Sequence, residues 1–226
     1  MKITYFGHAC LGIEANEKNI IVDPFISGNE LAKHIDLSSL KADYILLTHA
    51  HQDHILDVDK IVFKTRATII CNAEMSYYYG AKEFKTIGMN TGGKFEFDGI
   101  MVKSTIAFHS SSFPDGTYGG SPNGYILECN GKRVYIAGDT SLTQEMKLIP
   151  ETTGKLDLAV LPVGGHFTMG FEDACTAADF VGCNKVLGYH FDTFPPIKIN
   201  HSEAKNYFAV RGKELILAEI GESLMA

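Results

Sequence analysis

Three imidazoles and a carboxylate fall within the stretch Thr48 to His54, which reads THAHQDH. Neutral imidazole and carboxylate are the groups that bind transition metals, and a site needs several of them converging on one ion. His49 and His51 are two residues apart, so in an extended segment their side chains point the same way and can grip one ion together. Asp53 and His54 then stand at the start of a following helix, turned toward a second position. This is more than one tetrahedral ion could accept from so short a loop, so the stretch predicts two metal positions. The alternative, a solvated polar loop, fits poorly with the apolar run Tyr44, Ile45, Leu46, Leu47 directly before it.

A real site needs further ligands from other strand ends, where loops on a rigid scaffold carry function. Three positions fit: His109 after MVKSTIAF, Asp139 after VYIAG, and His190 after KVLGY. Asp23, ending IIVD, is read as a carboxylate that orients a ligating imidazole through its other ring nitrogen. Its alternative is an aspartate opening a turn before Pro24. His166 lies in the glycine-rich PVGGHFTMG between a strand and a helix, a place suited to holding an anion or donating a proton to a leaving group. It is therefore read as catalytic beside Asp53. His8, in FGHAC, is a similar candidate near the site, while His34 and His201 read as surface residues. The segment 110–124 follows His109 directly and is too long for a tight hairpin. It is read as the substrate-selecting loop, with Phe113, Tyr118 and Thr193 as wall residues, or else as an ordinary surface loop.

The elements that position these groups are short. β-branched runs predict strands at Lys2 to Phe6, Leu11 to Glu14, Ile20 to Asp23 and Tyr44 to Thr48, and again at Ile100 to Phe108, Gly124 to Cys129 and Arg133 to Ala137. Helical patterns cover Asp53 to Phe63 and Ala73 to Tyr79, the latter with Asn72 as N-cap and Gly80 as stop. The last third alternates: strands at Leu158 to Val163, Lys185 to Tyr189 and Glu214 to Ala218, helices at Glu172 to Val181 and Ser202 to Arg211. Leu11 to Pro24 and Tyr125 to Thr140 both read strand, polar turn, strand, aspartate. Two such hairpins imply two sheets facing each other with helices outside. The predicted fold is α+β, a four-layer αβ/βα sandwich, formed by residues 1–226 as one domain.

The totals fit an ordinary globular chain. Its 226 residues carry a formal net charge of -7 with no Lys/Arg block, which argues against a nucleic-acid surface. No apolar run approaches the roughly 20 residues that span a bilayer, and the start, MKITYFG, reads as a strand rather than a signal. Five scattered cysteines without a CxxC pair read as buried thiols in a reducing cytoplasm, not as a disulfide framework or thiolate zinc site.

THAHQDH, His109, the GDT at 138–140 and His190 resemble the metal-binding signature of the metallo-β-lactamase superfamily. GHACLGIEA, IIVDPF, PVGGHFTMG and YHFDTFPPI are similar to uncharacterised metal-dependent hydrolases near the L-ascorbate-6-phosphate lactonase branch, with N-acyl-phosphatidylethanolamine phospholipase D as a more distant cousin. The resemblance implies that His49, His51 and His109 hold one metal, that Asp53, His54 and His190 hold a second, and that Asp139 bridges them. Oxygen-reducing diiron relatives carry Glu at the position of His51. Many true β-lactamases lack a histidine at that of His54 and place Cys at that of Asp139, so both readings recede. The implied activity is hydrolysis of a small ester, lactone or phosphorylated metabolite by a hydroxide shared between two divalent cations. Zinc or manganese leads as the metal, with iron and nickel as alternatives. A ribonuclease Z type phosphodiesterase and a non-catalytic metal-binding module are the rival readings, and self-association is left open.

Overall fold

The computed structural model describes all 226 residues. Strands β1 (Lys2–Gly7), β2 (Cys10–Ala15), β3 (Lys18–Val22), β4 (Tyr44–Leu46), β5 (Thr68–Cys71) and β6 (Thr86–Gly88) lie side by side in chain order. Strands β7 (Lys94–Phe97), β8 (Ile100–Ile106), β9 (Asn123–Cys129), β10 (Lys132–Ile136), β11 (Leu158–Pro162), β12 (Lys185–Tyr189) and β13 (Glu214–Ile216) form the second sheet, again in chain order. The last strand, β14 (Ser223–Met225), returns to pair with β1, so both sheets have seven strands.

The two sheets share one plan. From β14 through β1 and β2 to β3 the neighbours are antiparallel, and from β3 to β6 they are parallel. From β7 to β10 the neighbours are antiparallel, and from β10 to β13 they are parallel. The two predicted hairpins are β2–β3 and β9–β10, at the same place in the two sheets.

Alternation along the antiparallel strands builds the central core. Ile3, Tyr5, Leu11 and Ile13 of the first sheet belong to one continuous buried cluster with Tyr125, Leu127, Val134 and Ile136 of the second. The parallel strands are buried on both faces, as when helices cover the outside: every residue of β11 is buried. Helices α1 (Gln52–Ile55), α2 (Val58–Thr65) and α3 (Ala73–Gly80) cover the first sheet. There Val58, Ile61, Met75 and Tyr79 pack with Ile45 and Ile69. Helices α4 (Leu148–Thr153), α5 (Phe171–Phe180) and α6 (His201–Ala209) cover the second, with Ala174, Ala177 and Phe208 joining the central core. The four-layer sandwich is the observed architecture. No helix is long and apolar enough to cross a membrane.

Local signals explain several boundaries. The Asn72 side chain accepts from the Met75 amide at 2.9 Å and starts α3. One expectation needs correction: the continuous helix over Asp53 to Phe63 is broken, because Asp57 leaves helical geometry (φ -101°, ψ 5°) between α1 and α2. Its carboxylate instead accepts the Ile26 and Ser27 amides, both at 2.8 Å, and tethers the loop after β3. A long-range demand of the loop overrides the local helical pattern. The short strands β5, β6, β7 and β14, and helix α4, were not anticipated from periodicity, their runs being only three to six residues long.

Candidate metal centre

The candidate ligands gather at one end of the sandwich, at strand ends. THAHQDH follows β4, His109 follows β8, Asp139 follows β10 and His190 follows β12, while His8 and Asp23 follow β1 and β3. His8, Asp23 and His190 hold left-handed backbone angles (φ 55°, 43° and 56°), which L side chains rarely adopt outside glycine. Such conformations survive only where the surroundings over-determine them, and they cluster at functional sites.

Three groups of ligand atoms form. His49, His51 and His109 converge in one, His8, Asp53, His54 and His190 in another, and Asp23 joins His49 and His54 in a third, fully buried behind these two, with the ligand atoms of each group within 4.8 Å of one another. Asp139 stands among the imidazoles: its Oδ2 lies 3.4 Å from His54 Nε2, 3.6 Å from His109 Nε2 and 3.0 Å from His190 Nε2. Thus the structure brings together all seven side chains singled out as ligands.

Hydrogen bonds behind the cluster fix which ring nitrogen faces it. Thr48 donates its amide to Asp23 Oδ1 at 2.8 Å and its hydroxyl to Asp23 Oδ2 at 2.6 Å. A hydroxyl has one proton, so at its 2.9 Å contact with His49 Nδ1 the Thr48 oxygen accepts and His49 Nδ1–H donates. The lone pair of His49 is thereby left on Nε2, facing the cluster. Asp23 Oδ2 also accepts from His54 Nδ1 at 2.8 Å, which turns His54 Nε2 inward. One buried carboxylate therefore sets the orientation of two imidazoles, directly and through Thr48. Ser110 Oγ, 3.2 Å from His51 Nε2, anchors that ring so that Nδ1 points at His49 Nε2, 3.0 Å away.

On the opposite side, His8 Nε2 contacts Asp53 Oδ2 at 3.0 Å and His8 Nδ1 contacts Thr193 Oγ1 at 3.0 Å. Burial, and the charge of His190 next, lower the His8 pKa to about 4 against the opposing pull of Asp53. The ring is then neutral, with Nε2–H donating to Asp53 and Nδ1 left as an acceptor facing the Thr193 hydroxyl, whose single proton also lies within reach of the Phe191 carbonyl at 3.3 Å. Gly138 precedes Asp139 with φ 68°, and a Cβ there would lie 2.6 Å from the Asn123 carbonyl, so the approach to Asp139 tolerates no side chain.

The donor set fits divalent cations. His54 Nε2, Asp139 Oδ1 and both nitrogens of His190 are buried without a hydrogen-bond partner. The 3.0 Å contact of His190 with Asp139 lacks hydrogen-bond geometry, so proximity there is not satisfaction. Buried polar atoms are costly when unpaired, and their convergence marks a place for an ion. Charge says the same. Burial opposes the imidazolium of His54, yet Asp139 and Asp23 outweigh it and hold its pKa well above the ordinary imidazole value. Burial likewise opposes the Asp139 carboxylate, and His190 and His54 outweigh it, holding its pKa well below the usual range. A field that retains a proton on a buried imidazole is one that favours positive charge at that point.

Other positions fall elsewhere. His166 is exposed, with its ring edge-on to Phe167, and it is Phe167 that lines the cavity over the cluster. Phe113 is buried and stacked on Tyr78 at 3.7 Å, and Tyr118 is exposed; neither reaches the cavity. Thr193 supports His8 and is not a wall. The walls are Phe25, Leu56, Phe167, Phe194 and Pro196 around a space of about 740 Å³. His201 is exposed and pairs with Asp192 at 2.6 Å. Sequence reading missed Thr48 and Ser110 as supports, although Thr48 is the first letter of THAHQDH. All five cysteines are buried free thiols.

Known proteins share this chain's pattern. A family model described as the beta-lactamase superfamily domain matches residues 2–190. A UPF0173 metal-dependent hydrolase of Flavobacterium johnsoniae is 58% identical over 224 residues, covering 99% of each chain. Another from Methylacidiphilum infernorum is 42% identical over 226 residues, 100% of both. Among solved structures, Igni18, a metallo hydrolase from the hyperthermophilic archaeon Ignicoccus hospitalis, superposes with a TM-score of 0.89 at 37% identity, covering 99% of this chain and 97% of the other.

Proposed function

Since this chain belongs to the beta-lactamase superfamily, among its UPF0173 metal-dependent hydrolases, we propose that its cluster holds two divalent cations and hydrolyses a small ester, lactone or phosphorylated metabolite. The observation that carries the reading is the position of Asp139 Oδ2, buried within 3.0 to 3.6 Å of imidazoles from both ligand groups. In this reading His49, His51 and His109 would hold one cation, Asp53, His54 and His190 would hold the other, and Asp139, between the two groups, would serve as a ligand as well. Zinc or manganese suits the donor set, which contains imidazole and carboxylate but no thiolate. Bound there, the cations supply Lewis acidity toward the scissile group and a water acidic enough to react near neutral pH.

The chain's own residues do the rest. Asp23 and Thr48 hold His54 and His49 in the tautomers that present Nε2, so the ligands are preorganised before any cation arrives. His8 donates to one side of the Asp53 carboxylate and fixes its rotation. The opposing forces of burial and of His8 and His54 leave Asp53 ionised well below the usual carboxylate range. It thus remains an acceptor and a ligand across neutral pH. A substrate lying along the apolar walls would displace water from the cluster and strengthen the charges within it. No serine or cysteine nucleophile is required.

The experiment is a chelation series on an ester panel. Protein stripped with a chelator should lose hydrolysis and recover it with zinc or manganese, and Asp53→Ala and His54→Ala should keep their fold but show no turnover. Retained hydrolysis in the stripped protein or in either variant rejects the reading.

A further inference from the structure

The cavity over the cluster is polar on its floor and apolar on its walls, and the walls carry no cation. None of its thirteen lining residues is Lys or Arg. Lys60, one turn past Leu56, is held 3.1 Å from the buried Asp57 carboxylate and 3.0 Å from Ser27 Oγ, so its charge is already engaged. An anionic group lying along these walls would give up its water and find no cationic side chain in exchange, only the neutral donors Gln52 and Ser110, which is unfavourable. It would also face the electron-rich faces of aromatic rings.

The apolar wall is built rather than incidental. Phe25 and Phe194 flank His8, with ring centroids 5.4 and 5.3 Å from its imidazole and 6.2 Å from each other. A Cβ on Gly28 would lie 2.4 Å from the Phe25 ring and 2.6 Å from Leu56, so glycine there lets these two side chains close against the backbone. Phe194 opens the Pro195–Ile197 turn, whose two prolines stiffen that side. Phe167 stands at the rim, 52% exposed, on a small loop closed by the Gly164–Gly170 bridge. An exposed ring at the mouth of a reactive cavity is a surface left for something apolar to cover.

We propose that the body of the substrate, beyond the scissile bond, is uncharged and apolar, so that this enzyme cleaves an alkyl or aryl ester or lactone rather than a phosphorylated or carboxylated metabolite. The proposal rests on the hydrolytic reading given above and narrows it. Two esters of equal length decide it: 4-nitrophenyl hexanoate and the mono-4-nitrophenyl ester of adipate, which ends in a carboxylate where hexanoate ends in a methyl group. With zinc-loaded protein, kcat/KM for the hexanoate ester should exceed that for the adipate ester at least tenfold. Phe167→Ala should raise KM for hexanoate several-fold with kcat changed less than twofold, and Phe194→Arg should narrow the gap between the two esters. Equal or faster cleavage of the adipate ester overturns the proposal.

A binding measurement separates this claim from the hydrolytic one. Calorimetric titration of zinc-loaded protein with 4-phenylbutan-2-one, a ketone that cannot be hydrolysed, should give an affinity that Phe167→Ala weakens at least threefold. If no ester is cleaved but the ketone behaves in this way, the hydrolytic reading fails and the apolar-body inference stands. A ketone affinity indifferent to Phe167→Ala, with an unchanged melting temperature for the variant, overturns the inference itself.

Discussion

The two halves of the molecule place an aspartate after equivalent hairpins, and the two aspartates sit in opposite surroundings. Asp23 follows β3 immediately and is saturated: it takes the Thr48 amide, the Thr48 hydroxyl and His54 Nδ1–H. Asp139 comes three residues after β10 and is not: its Oδ1 has no partner and its Oδ2 faces three imidazoles. Both are buried, at 0% and 2% exposure. The two extra residues, Ala137 and Gly138, carry Asp139 past the sheet edge into the cluster, while Asp23 stays one shell behind it. One plan thus yields a carboxylate that faces inward and a carboxylate that orients, and the difference comes from two residues of reach and from what has already occupied the lone pairs.

The comparison breaks most visibly at Asp139. Asp139→Asn removes the only negative charge between the two ligand groups, so hydrolysis should fall by roughly a thousandfold or more, consistent with loss of a binuclear centre, and zinc content should fall with it. At Asp23 the expected loss is smaller: Asp23→Asn leaves every inward-facing atom in place but loosens two tautomers, which costs about 10- to 100-fold in metal affinity. Competition with a zinc indicator reads both. Equal losses at the two positions would mean that the halves do not differ as described.

The next effect concerns stability rather than chemistry. Asp57 ties the loop after β3 to the start of α2 through the Ile26 and Ser27 amides. Asp57→Ala should destabilise the fold by on the order of 2 kcal/mol, since it strands the buried Ile26 amide and the partly buried Ser27 amide. Burial opposes the Asp57 carboxylate, but the Ser27 and Ile26 donors outweigh it and hold its pKa below the ordinary value. A carboxyl whose folded pKa is depressed contributes stability above its unfolded pKa and loses it as pH falls toward the folded one. The gap between wild type and variant in urea melts should therefore stay constant from neutral to about pH 5 and narrow below about pH 4. A gap that widens in acid would contradict the assignment. The smallest effect is expected at His166, whose ring lies outside the cavity: His166→Gln should change kcat/KM by less than about twofold, within the range of surface substitutions. A loss of tenfold would restore it to the reaction.

Much of this was legible in the chain because the signals are local. THAHQDH concentrates its ligands in one loop, and His109, Asp139 and His190 each end an apolar run, so strand ends could be found by pattern and then inspected for ligands. The hairpin echo of Leu11 to Pro24 with Tyr125 to Thr140 pointed to two sheets, and two sheets there are. What could not be read depends on partners distant in sequence. Asp23 and Asp139 look alike in their hairpins, and the two residues of reach at Ala137 and Gly138 acquire their meaning only from where Thr48 and His54 stand in the fold. The break at Asp57 answers a loop thirty residues earlier. In GGHFTMG the positive φ of His166, 35°, turns the imidazole out and leaves its apolar neighbour over the cavity, an outcome set by backbone conformation and not by residue type.

The central claim is that seven side chains from both halves meet around two ions, and anomalous diffraction from crystals of the zinc-loaded protein tests it most directly. The account predicts two zinc peaks, one among His49, His51 and His109, the other among Asp53, His54 and His190, with Asp139 in contact with both. A single peak, or zinc bound away from Asp139, would contradict it.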